Sequence, residues 1–268
     1  MTAHRAVTRP AAVAGRFYPA DPRRLAAEVD GMLAAAATST PPGPAAIIAP
    51  HAGYRYSGPV AATAYRHLAL RQDTVRRVAL LGPDHFTGLH GMAVPGWIAF
   101  ATPLGEMPLD GAGCALAARL SSVVVSDACH LREHALEVHV PFLQRTLQPD
   151  TTLVPVLVGQ VAAGAVTNVI DALWQDESTA VVLSTDLSHY YDHATASRLD
   201  RRTAEAIVRA DPSGIGEGDA CGRFALRGLL ELARRRGLQV RLLDLRTSAD
   251  TAGDSSRVVG YGAFALYQ

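Results

Sequence analysis

The sequence predicts an α/β fold: an open, mostly parallel sheet covered by helices on both faces. Short apolar runs bounded by turn residues recur along the chain, as strands buried on both faces require. Between most of them lie longer stretches with apolar residues at helical spacing, the alternation that builds such a sheet. With 268 residues, 49% apolar and 19% charged, the chain can bury a large core and is too apolar to be disordered.

The first helix is expected over residues 24–37, where Leu25, Val29 and Leu33 share a face and Asp21-Pro22 stands near the start. A joint, Pro41-Pro42-Gly43-Pro44, leads into a strand over 45–50. A helix over 60–70 follows, with Ser57-Gly58-Pro59 at its start, and then a strand over 77–82. The segment 88–110 has no clear period and is read as an antiparallel excursion or a pocket lid. Strands over 152–158 and 180–184 enclose a helix over 166–174. A long helix over 224–236 precedes two final strands, 238–245 and 258–267. With no repeats, charge blocks or interdomain linker, 1–268 is read as one domain.

The 25 basic and 25 acidic side chains cancel, which leaves no electrostatic footprint for nucleic acid or an anionic membrane. No apolar run approaches the roughly 20 residues that span a bilayer, so neither partner is expected. The first 22 residues mix Arg5, Arg9 and Arg16 with three prolines and lack the apolar core of a secretory signal. A cytoplasmic protein is expected. All 25 basic residues are arginine, which removes Schiff-base chemistry, a phosphate-loop lysine and a lysine general base. Cys114, Cys129 and Cys221 are too few and too irregularly spaced for a disulfide framework or a four-cysteine zinc site.

Several polar residues stand just past the ends of predicted strands. His51 follows the first, His85 the second, and Asp186 with His189 the fourth. In open α/β sheets ligands bind beyond the carboxyl ends of the strands, so these side chains should converge. Each histidine alone would be read as structural or exposed; the repeated placement points to a site. Two neutral imidazoles on adjacent strands are a common nucleus of a transition-metal centre. The turn Pro50-His51-Ala52-Gly53-Tyr54 is expected to leave its strand sharply, with Gly53 in angles other residues resist; Gly82-Pro83-Asp84-His85 acts similarly.

Residues 133–139 (EHALEVH) are the densest polar cluster. On a helix Glu133 and Glu137 share one face, as do His134 and Glu137, while His134 and His139 point in different directions. The order of residues is not that of a zinc-protease helix, and the cluster is read as bonding a neighbouring loop, supporting a site or touching substrate. Ser184, Asp186 and His189 mimic a nucleophilic triad, but no GxSxG elbow is present. Asp186 and His189 fit ligand or acid–base roles better. Cys221 sits between a Gly/Asp-rich turn and a helix, beside Arg223; such positions favour thiolate, so ligation or redox chemistry stands level with packing. Cys114 and Cys129 are read as small buried hydrophobes.

Taken in order, these blocks resemble the MEMO family, whose bacterial members are called AmmeMemoRadiSam system protein B. The resemblance spans nearly the whole chain. It rests on VAGRFYP from Val13, APHAGY from Ala49, GPDH ending at His85, EHALEVHVP from Glu133 and PVLVG from Pro155. STDLSH from Ser184, Cys221-Gly222-Arg223, Asp254-Ser255-Ser256 and Gly260-Tyr261-Gly262 complete it. It implies a sandwich similar to the class III extradiol dioxygenases of the LigB type. It also implies a metal pocket at His51, His85 and Cys221, with Asp186 and His189 as catalytic candidates. Tyr54, Asp84, Glu133, His134, Glu137, His139 and Arg223 are expected in the pocket or behind it.

In those dioxygenases two histidines and a carboxylate hold Fe(II) and leave positions for dioxygen and a catechol, and a further histidine is the base, here His189. This sequence departs from that pattern by placing Cys221 where they have glutamate. A thiolate is softer, shifts preference toward Cu(I), Zn(II) or reduced iron, and is itself oxidisable. Within the family Cys-Gly-Arg is often followed by His-Pro; Phe224-Ala225 stand there instead. Fe(II) is the expected cofactor, with copper or zinc as alternatives. The expected function is a redox enzyme dependent on non-haem iron or copper. The alternative is a non-catalytic module binding metal, a small molecule, a peptide or a partner, working with the AMMECR-like and radical-SAM proteins that accompany bacterial members. A zinc hydrolase is a third reading.

Overall fold

The computed structural model describes residues 7–37 and 42–268; Arg5 and Pro41 lie outside them. The chain opens with a two-residue strand, β1 (Thr8–Arg9), and helix α1 (Pro22–Ala35). Asp21 caps α1 by accepting the Arg24 N–H at 2.8 Å, and Pro22 occupies the first turn, where its missing N–H would be unpaired anyway. Next come β2 (Ala46–Ala49) and α2 (Tyr54–Leu68). This helix starts well before the expected residue 60 and takes Pro59 into its interior. The proline forfeits the bond to the Arg55 carbonyl. Ten of the fifteen residues of α2 are buried, so packing rather than propensity sets its start.

After β3 (Arg77–Pro83), the segment 88–110 makes β4 (Met92–Val94), β5 (Ala99–Thr102) and β6 (Gly105–Pro108). It is an excursion: β5 and β6 pair antiparallel with β1 alongside β5, forming a separate small sheet. Then follow α3 (Gly111–Ala117), β7 (Val123–Val125), α4 (Asp127–Leu131) and α5 (Val140–Thr146). The second half holds β8 (Thr152–Val158), α6 (Ala163–Leu173), β9 (Thr179–Ser184), β10 (His189–Tyr191) and α7 (His193–Val208). Last come α8 (Arg223–Arg236), β11 (Gln239–Thr247), α9 (Ser248–Ala252) and β12 (Val258–Tyr267). The long helix α7 has no counterpart in the sequence reading. It buries Ala196, Asp200, Thr203, Ala204, Ala206 and Ile207, all but the last small or polar, which leaves a faint apolar stripe.

Among the described residues the main sheet has nine strands in the order β10-β12-β2-β9-β3-β8-β4-β7, with β11 also on β12. Its centre, β2-β9-β3-β8, is parallel, and β12 and β4 close it on either side as antiparallel neighbours. Successive strand residues face opposite sides, and here both sides are apolar. Ala46 and Ile48 of β2 join a cluster with α6, α7 and α8, while Ile47 and Ala49 join another with α1, α2 and α5. That double burial is why the central strands read as continuous apolar runs. No helix among the described residues is long and apolar enough to cross a membrane.

One buried ion pair ties the first strand to the edge of the sheet where the site lies. Arg9, fully buried, donates to Glu137 Oε2 at 2.5 Å, to the His130 carbonyl at 2.8 Å and to the Glu133 carbonyl at 2.7 Å. Glu137 also accepts the N–H groups of Ala12 and Val13 and the Tyr18 hydroxyl. Removing one partner strands the other charge in the interior, a loss of about 3–5 kcal/mol. Arg9→Met is therefore expected to lower the stability found by urea unfolding by roughly that amount; an unchanged midpoint would refute the role.

Candidate metal centre

Because β2, β9 and β3 run parallel, their carboxyl ends deliver His51, Ser184 to Asp186, and His85 to one edge of the sheet. Ala49 faces Ser184 across the β2–β9 ladder, so residues two positions further on, His51 and Asp186, also meet. The His51 N–H donates to Asp186 Oδ1 at 2.8 Å. The turn before α8 brings Cys221 to the same point. Its N–H donates to the Asp186 carbonyl at 3.2 Å, and the Asp186 N–H donates to Cys221 Sγ at 3.3 Å. Gly222 makes this approach possible, since a Cβ there would lie 2.8 Å from both the Ser184 carbonyl and Thr185 Oγ1. One donor atom from each of His51, His85 and Cys221 lies within 4.8 Å of the other two. His51 Nε2 is 3.4 Å from Cys221 Sγ, and the two imidazole centroids are 5.2 Å apart.

Hydrogen bonds behind the rings settle which nitrogens face the centre. The single Ser184 hydroxyl proton is donated to the Ala135 carbonyl at 2.7 Å. Ser184 Oγ can then only accept from His51 Nδ1, 2.6 Å away, which leaves Nε2 with its lone pair toward Cys221. Burial, assisted by the charges of His85 and His134, holds His51 well below the usual imidazole range, so it is neutral. His85 Nδ1 donates to Glu133 Oε1 at 2.9 Å and likewise turns Nε2 inward. His189 Nδ1 donates to the Leu187 carbonyl at 2.8 Å, so its Nε2 is the free acceptor.

Glu133 is buried and acts as an orienting carboxylate. Oε1 accepts from His85 Nδ1 and from the His134 and Ala135 N–H groups, while Oε2 accepts the His85 N–H. Burial raises its pKa, but hydrogen bonds from His134 and His85 outweigh this and hold it below the usual carboxylate range. Glu133, His85 and His134 form a second group close enough for a cation. Oε1 already has protein donors on its lone pairs, which suits support better than ligation. His134 stacks on His85 at 4.8 Å and tilts against Phe17 at 4.7 Å.

Above these side chains opens a pocket of about 710 Å³. Phe17, His51, His85, His134, Asp186 and His189 line it together with Arg55, Tyr56, Tyr190, Arg257 and Tyr261. Asp186 is buried, and burial raises its carboxyl above the usual range. Its Oδ2 is 4.0 Å from His51 Nε2.

The other residues expected in the pocket or behind it do not line it. Residues 133–136 are not helical, and Glu137–His139 form a short 3₁₀ stretch, so the side chains diverge. Glu137 faces Arg9, and His139 meets the Tyr65 hydroxyl at 2.8 Å in the core. The Tyr54 hydroxyl donates to the Val138 carbonyl. Asp84 accepts the Phe86, Thr87 and Leu89 N–H groups and shapes the loop carrying His85. Arg223 lies over the Phe224 ring and beside Glu217. Gly53 has φ −56°, an ordinary value; its space is limited by the Phe17 backbone, 3.4 Å from where a Cβ would stand. Ser184 orients an imidazole, and Gly222 admits Cys221. Neither role was read from the sequence, where only the shared STDLSH and Cys-Gly-Arg blocks pointed to them.

A family model described as Memo-like protein matches residues 9–265. A MEMO1 family protein of Methanopyrus kandleri is 36% identical over 95% of this chain and 97% of its own length. One from Sulfolobus acidocaldarius is 34% identical over 93% and 96%, and one from Desulfurococcus amylolyticus 32% over 95% and 97%. Among solved structures, an uncharacterized protein from Escherichia coli K12 aligns with a TM-score of 0.50 at 11% identity, covering 80% of this chain and 98% of that one. That likeness bears on the fold alone.

Two outcomes follow from the wiring behind the rings. Ser184→Ala removes the acceptor for His51 Nδ1 and should weaken binding of a first-row metal about 10–100-fold with the fold intact, read by competition against a chelator. Unchanged affinity would count against the orienting role. Burial depresses His85, but Cys221 and Glu133 together push it up to about 10. A histidine raised above its ordinary value of about 6.5 stabilises the fold fully below that pH, and the contribution disappears as pH climbs through the folded value. Metal-free protein should therefore lose Tm between about pH 6.5 and pH 10, and Glu133→Gln should flatten that slope.

Proposed function

This chain belongs to the Memo family, and from that premise we propose that it is a metal-dependent redox protein working in the pocket above His51, His85 and Cys221. The observation that carries this reading is the meeting of three ligating atoms whose supporting groups are already committed to protein partners. Two imidazoles and a sulfur form a donor set suited to reduced iron or copper and poorly suited to magnesium or calcium. Fe(II) is the proposed ion, with copper or zinc as alternatives. When bound, such an ion supplies a Lewis-acidic and redox-active centre.

The surrounding residues would handle substrate and protons. His189, with Nδ1 tied to Leu187, offers Nε2 to accept a proton from a substrate hydroxyl. Asp186 holds the His51 backbone and, buried, binds a proton more readily than an exposed carboxylate. Phe17 and Tyr261 border the same space and limit water beside the reacting groups. A dioxygenase-like reaction is proposed by analogy of fold, with Cys221 replacing the carboxylate ligand. Capture of a peptide or partner, including AMMECR-like and radical-SAM proteins, is the second reading, favoured by Tyr56 and Tyr190, which are 42% and 65% exposed at the pocket.

Elemental analysis of protein purified without oxygen tests the first reading. Wild type is expected to carry iron or copper, and His51→Ala and Cys221→Ala to lose it. Metal retained in both variants, or none taken up by wild type after anaerobic iron loading, would overturn it. Partner binding that survives both substitutions would favour the second.

A further inference from the structure

Asp200, on the buried face of α7, is 1% exposed and does not line the pocket. Its Oδ1 accepts the Ser188 N–H at 2.9 Å, while its Oδ2 has no hydrogen-bond partner among the described residues. A buried carboxylate with so few donors is costly. Gly260 admits it, since a Cβ there would collide with both carboxylate oxygens.

The Ser188 N–H and the Leu187 carbonyl belong to one peptide group. Pairing with β12 uses the groups on either side and leaves this one free. The Leu187 N–H donates to the Gly260 carbonyl at 2.8 Å, and the Gly260 N–H donates to the Ser188 carbonyl at 2.9 Å. The two ends of a trans peptide point in opposite directions. Asp200 therefore takes the N–H end, and His189 Nδ1 donates to the carbonyl end at 2.8 Å. Carboxylate, peptide and imidazole form one continuous hydrogen-bonded path. Past His189 the strand is irregular: pairing with β12 shifts register before Tyr191, and Tyr190 has φ +66°. The ladder thus does little to hold the ring, and the bond to the Leu187 carbonyl holds it instead.

We infer that Asp200 is a positioning residue for His189, acting through the Leu187–Ser188 peptide. It fixes the carbonyl that receives Nδ1–H and, as a carboxylate, stabilises the imidazolium formed when Nε2 takes a proton. That chemical consequence rests on the reading of His189 as proton acceptor; the linkage itself does not. In the step concerned, the proton passes from a substrate hydroxyl to Nε2, the electron pair stays on the substrate oxygen, and Nδ1 keeps its hydrogen. An anion at the N–H end of a peptide shifts electron density toward its oxygen, which strengthens the bond from an imidazolium. A carboxylate bonded directly to a histidine base does the same; here one amide carries the effect. Other ionisable groups bear on the pair. Burial raises the Asp200 carboxyl above its usual range and Asp219 adds to this, while the Ser188 N–H and His189 oppose it. Asp219 lies 3.4 Å from Arg202, and Asp186 shares the pocket lining with His189.

NMR of zinc-loaded protein labelled in its histidine rings reads both the tautomer and the titration of His189, with His189→Gln to assign its signals. Wild type is expected to keep hydrogen on Nδ1 throughout. In Asp200→Asn the amide oxygen can still accept the Ser188 N–H, so circular dichroism and tautomer should be unchanged. The His189 midpoint should nevertheless move to lower pH, by about a tenfold loss of proton affinity. Asp200→Ala should show the same fall and admit some of the other tautomer. In wild type, with no substitution, the Asp200 carboxyl carbon should show a step at the His189 midpoint, because interacting groups titrate together. A His189 midpoint unmoved in Asp200→Asn, or no such step at Asp200, would overturn the inference. Zinc that fails to bind wild type, with both effects present in metal-free protein, would instead defeat the metal-centre reading and leave the linkage standing.

Discussion

Ala49 and Ser184 face one another across the parallel pair β2–β9, and the site is laid out from that register. Two residues beyond it, the His51 N–H meets the Asp186 carboxylate, and the Asp186 backbone in turn exchanges hydrogen bonds with Cys221. A slip of one residue would turn every side chain of the strand to the other face. His51 and Asp186 could not then meet, and Cys221 would lose the peptide it docks on. Apolar residues on both faces of β2 and β9 hold the register. The packing of the core thus fixes the polar geometry at its edge.

Two glutamates four residues apart show how one segment serves both stability and chemistry. Glu137 gathers Arg9, Tyr18 and two backbone N–H groups, which fastens the N-terminal segment and places Phe17 against His134. Glu133 gathers His85 and the 134–135 backbone. Both are buried, and each is surrounded by donors, the condition under which a buried carboxylate is tolerable. The lowered pKa of Glu133 and the raised pKa of His85 are two views of one interaction.

Division of labour at the pocket follows from which nitrogen each histidine has committed. His51 and His85 use Nδ1 against Ser184 and Glu133; His189 uses Nδ1 against a backbone carbonyl. All three therefore present Nε2, two beside the sulfur and one toward the open pocket. Cys221 is held to this arrangement through both its peptide and its sulfur: its N–H donates to the Asp186 carbonyl, and its Sγ accepts the Asp186 N–H.

The central strands and four of the nine described helices, α1, α2, α6 and α8, were legible because double burial writes continuous apolar runs and amphipathic faces write helical periods. The sequence also disclosed that His51, His85, Asp186 and His189 stand at strand ends, and the MEMO-like blocks tied Cys221 to them. It did not disclose the start of α2, where burial overrides a proline, or α7, whose buried face is mostly alanine and threonine. Nor did it separate Glu133 from Glu137, since a helical period was assumed where the backbone turns. Local sequence determines which residues want to be buried and which can ligate or titrate. Which lone pair faces the pocket, and that Ser184 and Gly222 belong to the site, depends on atoms brought together from distant segments, and only the tertiary structure decided that.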